Sequence, residues 1–354
     1  MKKIFTPILI GLCVLFVIFF VNSKKFFTHK KITINTVITA TTTTKPVDLA
    51  NLAWLQNQDV PFQSRDSHGT VVYKNALWVM GGLDGNSVTN GTMVQYWKAP
   101  HFSDVWKSID GSSWELITDN APWGKRRSLP LVVFKDKIWL IGGYQQGVGT
   151  KGDIWSTTNG QDWKLVTKSA SFGAREGHTI TVFQDKLWLI GGVNFDKHTT
   201  YNDIWYSEDG LIWKPATINA PFSVRYDHST IVFQNKLWLM GGLTFGEEIS
   251  HDIWTSSDGI NWALLTDTPN FNERHGHIAE VYKGNLIIVS GWSDIEKTND
   301  MWFTKDGINW FQNIISDQFN GREDHGVVVF KDKIWIIGGM DQNYHWSNEV
   351  WYSE

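Results

Sequence analysis

Cysteine is almost absent from this sequence. Cys13 is the only one, and it lies inside a hydrophobic N-terminal stretch. The rest of the chain therefore forms no disulfide, carries no thiol nucleophile and builds no cysteine metal site. A core of this size needs no covalent staple, so the absence assigns no compartment. An excess of positive charge is missing too. With 32 Lys and Arg against 36 Asp and Glu, the net charge is −4, and no basic field exists to attract nucleic acid. Proline is scarce at 9 residues, and charged residues make up only 19%. In their place stand 21 Trp, 20 Phe and 31 Gly, a mixture suited to many short aromatic strands joined by glycine turns. No motif calls for a cofactor.

The N-terminus is the one long apolar run. After Lys2 and Lys3, residues 4–23 carry no charge, enough helix at ~1.5 Å per residue to cross a ~30 Å hydrocarbon layer. A cleavable signal has a shorter apolar core of roughly 7–15 residues, so the length favours an uncleaved anchor; Val21 and Ser23 offer the alternative cleavage site. Lys24, Lys25, Lys30 and Lys31 follow, a bias that alone would hold the C-terminal side in the cytoplasm. A hydrophobic segment so near the start directs export, and the reading is an exported chain, tethered or released. Residues 24–46, rich in Lys and then Thr, form a linker before a domain spanning 47–354.

That domain is repetitive. Arg65, Arg126, Arg175, Arg225, Arg274 and Arg322 fall in register, 48–50 residues apart after a longer first interval. Each opens the same phrase: an apolar strand, a two-residue polar turn, a second strand, a Gly pair, a variable loop, Asp-Ile-Trp or its like, Asp-Gly, and a final Trp. Turns such as Gln184-Asp185 suit a hairpin with positive φ. All but four of the 21 tryptophans occupy three recurrent strand positions. Each buries about 150–250 Å² between sheets, a core role first. The chain ends after the third strand of its last repeat, and Asn51–Gln56 matches the missing fourth strand. The expectation is an all-β, six-bladed propeller of four-stranded blades, closed by an N-terminal strand, with no free edge and so monomeric.

The order of Gly-Gly, a following aromatic and a fourth-strand Trp resembles the kelch repeat over residues 50–354. The resemblance implies a propeller fold but little about activity, because kelch propellers include scaffolds and enzymes. Ser207-Glu208-Asp209-Gly210 with Trp213 also resembles the Asp-box hairpin of sialidase propellers, one residue short. Kelch-type copper radical oxidases need a cysteine cross-linked to tyrosine, which Cys13 cannot supply.

Strand alternation sorts the loops to two faces. The six arginines ring the channel mouth on one face, with His68, His178, His228, His277 and His325 three residues further in, and Leu129 in the second blade. Such spacing holds the histidines too far apart for ~2.0–2.1 Å bonds to one metal. The four remaining tryptophans, Trp97, Trp123, Trp292 and Trp346, fall in loops of that same face, as does an insertion at 85–101 with Tyr96 and His101. Aromatic platforms beside the six arginines and Arg127 suit a glycan, notably an acidic one, or an acidic peptide segment of a protein partner. The competing reading pairs each repeat arginine with Asp104, Asp153, Asp203, Asp252, Asp300 or Glu349, as framework. Asp66, Glu176, Asp227, Glu323 and Asp324 are expected to be solvated loop charges rather than general acids or bases. Positions that break the repeat, Arg127, Leu129, Ser290, Trp292 and the insertion, are better candidates than those that obey it. The functional expectation is a recognition module for a glycan or protein. The alternative is an acidic-sugar enzyme such as a sialic acid mutarotase, which the chain resembles in architecture only.

Overall fold

A computed structural model describes residues 48–354, except 58, 89–97, 245, 247 and 294–297. The N-terminal apolar segment and the linker lie outside the described residues. So do Tyr96 and Trp97. No described helix is long and apolar enough to cross a membrane.

The described residues form an all-β structure with two short 3₁₀ turns, Leu49–Asn51 and Phe195–Lys197. Six four-stranded antiparallel sheets follow one another along the chain. Sheet three is representative, running Thr179–Phe183, Lys186–Ile190, Ile204–Ser207 and Lys214–Thr217 from inside to outside. The last sheet pairs Gly326–Phe330, Lys333–Ile337 and Val350–Ser353 with the N-terminal strand Trp54–Asn57. This is a β-propeller architecture. The innermost strands of neighbouring sheets pack side by side, and the first strand, Gly69–Tyr73, touches both the second sheet and the sixth.

Local chemistry accounts for each turn. The inner hairpins place both central residues at positive φ, as at Gln184 and Asp185 (φ 49 and 56), the left-handed pair whose twist matches the strands. The outer hairpins are Asx turns: Asp209 Oδ1 accepts from the N–H groups of Leu211 and Ile212, and Ser207 Oγ from that of Gly210. A Cβ on Gly210 would come within 2.5 Å of the Trp139 indole of the preceding sheet. The same glycine-on-indole contact joins Gly160 to Trp78, Gly259 to Trp188, Gly307 to Trp238 and Gly111 to Trp335.

This contact explains a gap in the tryptophan pattern. The second strand of sheet five has Ile287 where the other five have Trp, facing Glu280 across the hairpin. The tryptophan there would need an Asp-Gly glycine from sheet six. That sheet is closed by the N-terminal strand and has no such hairpin. Trp54 on the closing strand is itself buried, and its Nε1 donates to Asn313 Oδ1 (3.0 Å) of sheet five.

Trp54→Ala should cost about 3–5 kcal/mol by opening a cavity at this junction. Urea unfolding followed by fluorescence measures it, and a loss below ~1 kcal/mol would mean that the N-terminal strand is dispensable.

Candidate functional site

The six repeat arginines are buried, at most 2% exposed. Each guanidinium pairs with the acid at the start of the third strand of its own sheet, forking onto both carboxylate oxygens in five sheets and onto one, Glu349 Oε2, in the sixth. Arg225 donates to Asp252 Oδ1 and Oδ2 (2.6 and 2.8 Å), and the same pairs form at Arg65–Asp104, Arg126–Asp153, Arg175–Asp203, Arg274–Asp300 and Arg322–Glu349. The acid also accepts from a third-strand tryptophan, as Asp252 does from Trp254 Nε1 (2.7 Å). A further N–H reaches the carbonyl of the residue opening the Gly pair, such as Gly241 (2.9 Å). The aromatic three residues before the arginine lies under its guanidinium in five sheets, as Phe222 does at 5.5 Å, and meets a tryptophan edge-on. All six arginines thus make the framework pairing.

The main chain adds a circuit. The second glycine of each pair donates across to the carbonyl of the next sheet's arginine: Gly82 to Arg126, Gly143 to Arg175, Gly192 to Arg225, Gly242 to Arg274, Gly291 to Arg322, and Gly339 back to Arg65 (2.8–3.0 Å). In sheet five Ser290 replaces the first glycine at φ 51. Its hydroxyl donates to Arg322 O (2.8 Å) and accepts from Arg322 N–H (3.0 Å), so a side chain that elsewhere would collide becomes a bond. Ser290 thus breaks the repeat for a structural reason.

Three tiers of side chains follow the arginines. The next residues, Asp66, Arg127, Glu176, Tyr226, His275 and Glu323, form the rim, each held by a backbone bridge to the residue after the Gly pair. The residues after those, Ser67, Ser128, Gly177, Asp227, Gly276 and Asp324, all have positive φ of 46–62. They form an inner lip joined by hydrogen bonds such as Asp227 N–H to Gly177 O (2.8 Å). His68, Leu129, His178, His228, His277 and His325 form the third tier, lining a mouth of about 170 Å³. Burial first, and then the arginine of the same sheet, pushes the histidines down, His228 and His325 to about 3, so all five are neutral near pH 7.

The charge of the rim and lip differs from the expectation. Asp66, Glu176 and Glu323 are buried rather than solvated, because the backbone bridges fold them in beneath the loops. Arg127 pairs with Glu176 (3.3 Å) and lies 4.8 Å over the Tyr144 ring, and His275 faces Glu323 (3.5 Å). Ser67 Oγ donates to Asp324 (3.2 Å). Burial, reinforced by Asp324 and Glu323, holds the Asp66 carboxyl well above its usual range. Burial with Asp324 and Glu176 does the same to Asp227, and burial with Glu323 takes Asp324 to about 6. Glu176 is also raised, by burial, although Arg127 opposes the rise. Asp227 and Asp324 line the mouth itself, and Asp66, Glu176 and Glu323 stand in the rim with Arg127.

The aromatic candidates separate. Trp123 is 1% exposed and stands three residues before Arg126, in the position that phenylalanine holds elsewhere, packed edge-on against Trp163. It is core, and its spacing from the arginine was the available signal. Trp346 is buried with Leu83, Ala99 and Met340, and its indole serves Asp66. Trp292 is half-buried, bridged to His275 at the rim. His101 is buried beside Ala99, not displayed.

Sequence reasoning missed Glu280. It lines the central cavity below the histidines, and burial pushes its carboxyl up to about 7.

A model of the KLHDC2/KLHL20/DRC7 Kelch-repeats domain matches residues 177–353. No curated protein matches the chain.

Two stability outcomes follow. Arg175→Ala strands Asp203 half-buried and should cost about 3–5 kcal/mol in denaturant unfolding, so any binding defect comes with a weakened fold; an unchanged midpoint would contradict the framework role. Glu280 binds its proton more tightly in the folded state, about 7 against an ordinary 4.5. It therefore costs nothing below pH ~4.5, and a penalty grows up to pH ~7, reaching about 3 kcal/mol at ~1.4 per unit. Glu280→Gln should match the parent near pH ~4.5 and exceed it near pH ~8, and equal stabilities at pH ~8 would show the carboxyl to be solvated.

Proposed function

The chain belongs to the kelch-repeat family, and on that premise we propose that it is an exported six-bladed propeller, membrane-tethered or released, that binds a protein partner through the mouth on its arginine face. Kelch repeats mediate protein binding. Export and tethering rest on the N-terminal sequence, and the count of blades on the six sheets and their hydrogen-bonded circuit. One observation carries the choice of partner. The six repeat arginines already have carboxylates of their own, and Asp227 and Asp324 line the mouth, with Asp66, Glu176 and Glu323 beside them in the rim.

Such a surface favours a lysine- or arginine-bearing segment. An incoming cation relieves the repulsion that raises these carboxyl groups. Trp292, half-buried beside His275, gives the segment an apolar point of register. An anionic sugar would meet more carboxylates than cations there, which weighs against the sialic acid reading and against an acidic glycan.

The full-length chain titrated with Lys/Arg-rich and Asp/Glu-rich peptide arrays, and with N-acetylneuraminate by NMR, tests this. Basic peptides should bind, more weakly at high salt, and affinity should rise between pH ~5 and ~7.5 as Asp324 and its neighbours ionise. Preference for acidic peptides, or saturable binding of N-acetylneuraminate, would overturn the reading.

A further inference from the structure

The innermost strands of all six sheets line a central cavity of about 490 Å³. Below the histidine tier its described walls are mostly aliphatic, with hydroxyls at Thr70, Thr179, Thr181, Ser229 and Thr230, and one ionisable group, Glu280. The repeat supplies an internal comparison. At the same register, six residues after the arginine, the other sheets have Val71, Val132, Thr181, Ile231 and Val328. A valine would satisfy the strand, whose pairing with Asn285–Val289 is regular. The carboxylate is therefore not needed by the fold, and burying it is unfavourable.

Among the described residues its hydrogen bond comes from the Val281 N–H (3.2 Å), which leaves acceptor capacity for a guest. No charged side chain lies against it from the other inner strands, where Leu131, Val133, Val327 and Val329 form the facing wall. The histidines of the third tier are the nearest titratable groups above, and they are neutral.

We propose that this cavity binds a short primary alkylammonium ion, with its ammonium group on Glu280 and its alkyl chain along Leu131, Val133 and Val327. The walls choose between cations. A hard metal ion wants about six oxygen ligands, and one carboxylate among aliphatic side chains does not supply them. An ammonium carries its own apolar tail and needs few acceptors. The position also selects a free molecule. Glu280 lies four residues below the lip at Gly276, ~13 Å along the strand, and three above the turn at Lys283, ~10 Å. A partner's lysine, on a four-carbon stem, is too short to reach it from either end. The site is thus separate from the mouth.

The test titrates the full-length chain with n-butylammonium chloride at pH ~8, by calorimetry and ligand-observed NMR, with n-butanol as the neutral comparison. Saturable binding is expected, with n-butanol at least about tenfold weaker and Glu280→Gln reducing affinity by about tenfold or more. Wild-type affinity should fall by a similar factor from pH ~8 to ~5 as Glu280 takes up its proton, and no such fall should remain in Glu280→Gln. Absence of saturable binding at pH ~8 overturns the proposal. So does binding that survives Glu280→Gln, since the ammonium ion would then sit on the mouth carboxylates.

Discussion

The arginine that opens each repeat is the point on which the structure depends. Its guanidinium ties the third strand and the Gly pair of its own sheet, and its main-chain carbonyl accepts from the Gly pair of the sheet before. One residue thus sets both the geometry within a sheet and the junction between sheets. A buried guanidinium is tolerable because its charge is matched by a carboxylate, bidentately in five of the six sheets, and its terminal N–H groups also reach a main-chain carbonyl. The tryptophan and the phenylalanine or tryptophan around the pair exclude water from it. The left-handed glycines are required because a Cβ there would strike the neighbouring arginine carbonyl, and Ser290 is accepted because its hydroxyl bonds the backbone of Arg322 and the carbonyl of Thr298.

This commitment decides what the face can recognise. Six arginines around a mouth suggest an anion site in a linear sequence. In three dimensions their charge is spent inside the sheets, and the electrostatics of the mouth pass to the next two residues. Those residues do not repeat: Asp, Arg, Glu, Tyr, His and Glu around the rim, then Ser, Ser, Gly, Asp, Gly and Asp at the lip. A symmetric framework carries an asymmetric rim, and in the proposed function it is the rim that would distinguish one partner from another. The central cavity follows the same logic with Glu280 among aliphatic residues.

The architecture was legible because its determinants are local and recur: the arginine register, hairpins such as Gln184-Asp185, the Asp-Gly turns, and the Asn51–Gln56 match that the pairing of Trp54–Asn57 with Val350–Ser353 reproduces. The pairing of Arg225 with Asp252 was legible as one of two readings, since spacing shows that two residues recur together but not which way they face. Trp123 was misplaced because its role is set by its distance from Arg126, hidden by the change from Phe to Trp. The burial of Asp66 and Glu176 depends on backbone bridges between segments distant in sequence, which no local pattern reports. Glu280 stood in plain view at a valine position of the repeat.

The central claim is that a closed circuit of Gly-to-Arg hydrogen bonds makes the six junctions equivalent and mutually dependent. Native-state hydrogen exchange of the Gly82, Gly143, Gly192, Gly242, Gly291 and Gly339 amides tests it directly. All six are expected to exchange only through global unfolding, with one common opening free energy matching that from denaturant. Graded protection, or rapid exchange confined to Gly339 where the N-terminal strand closes the last sheet, would contradict it.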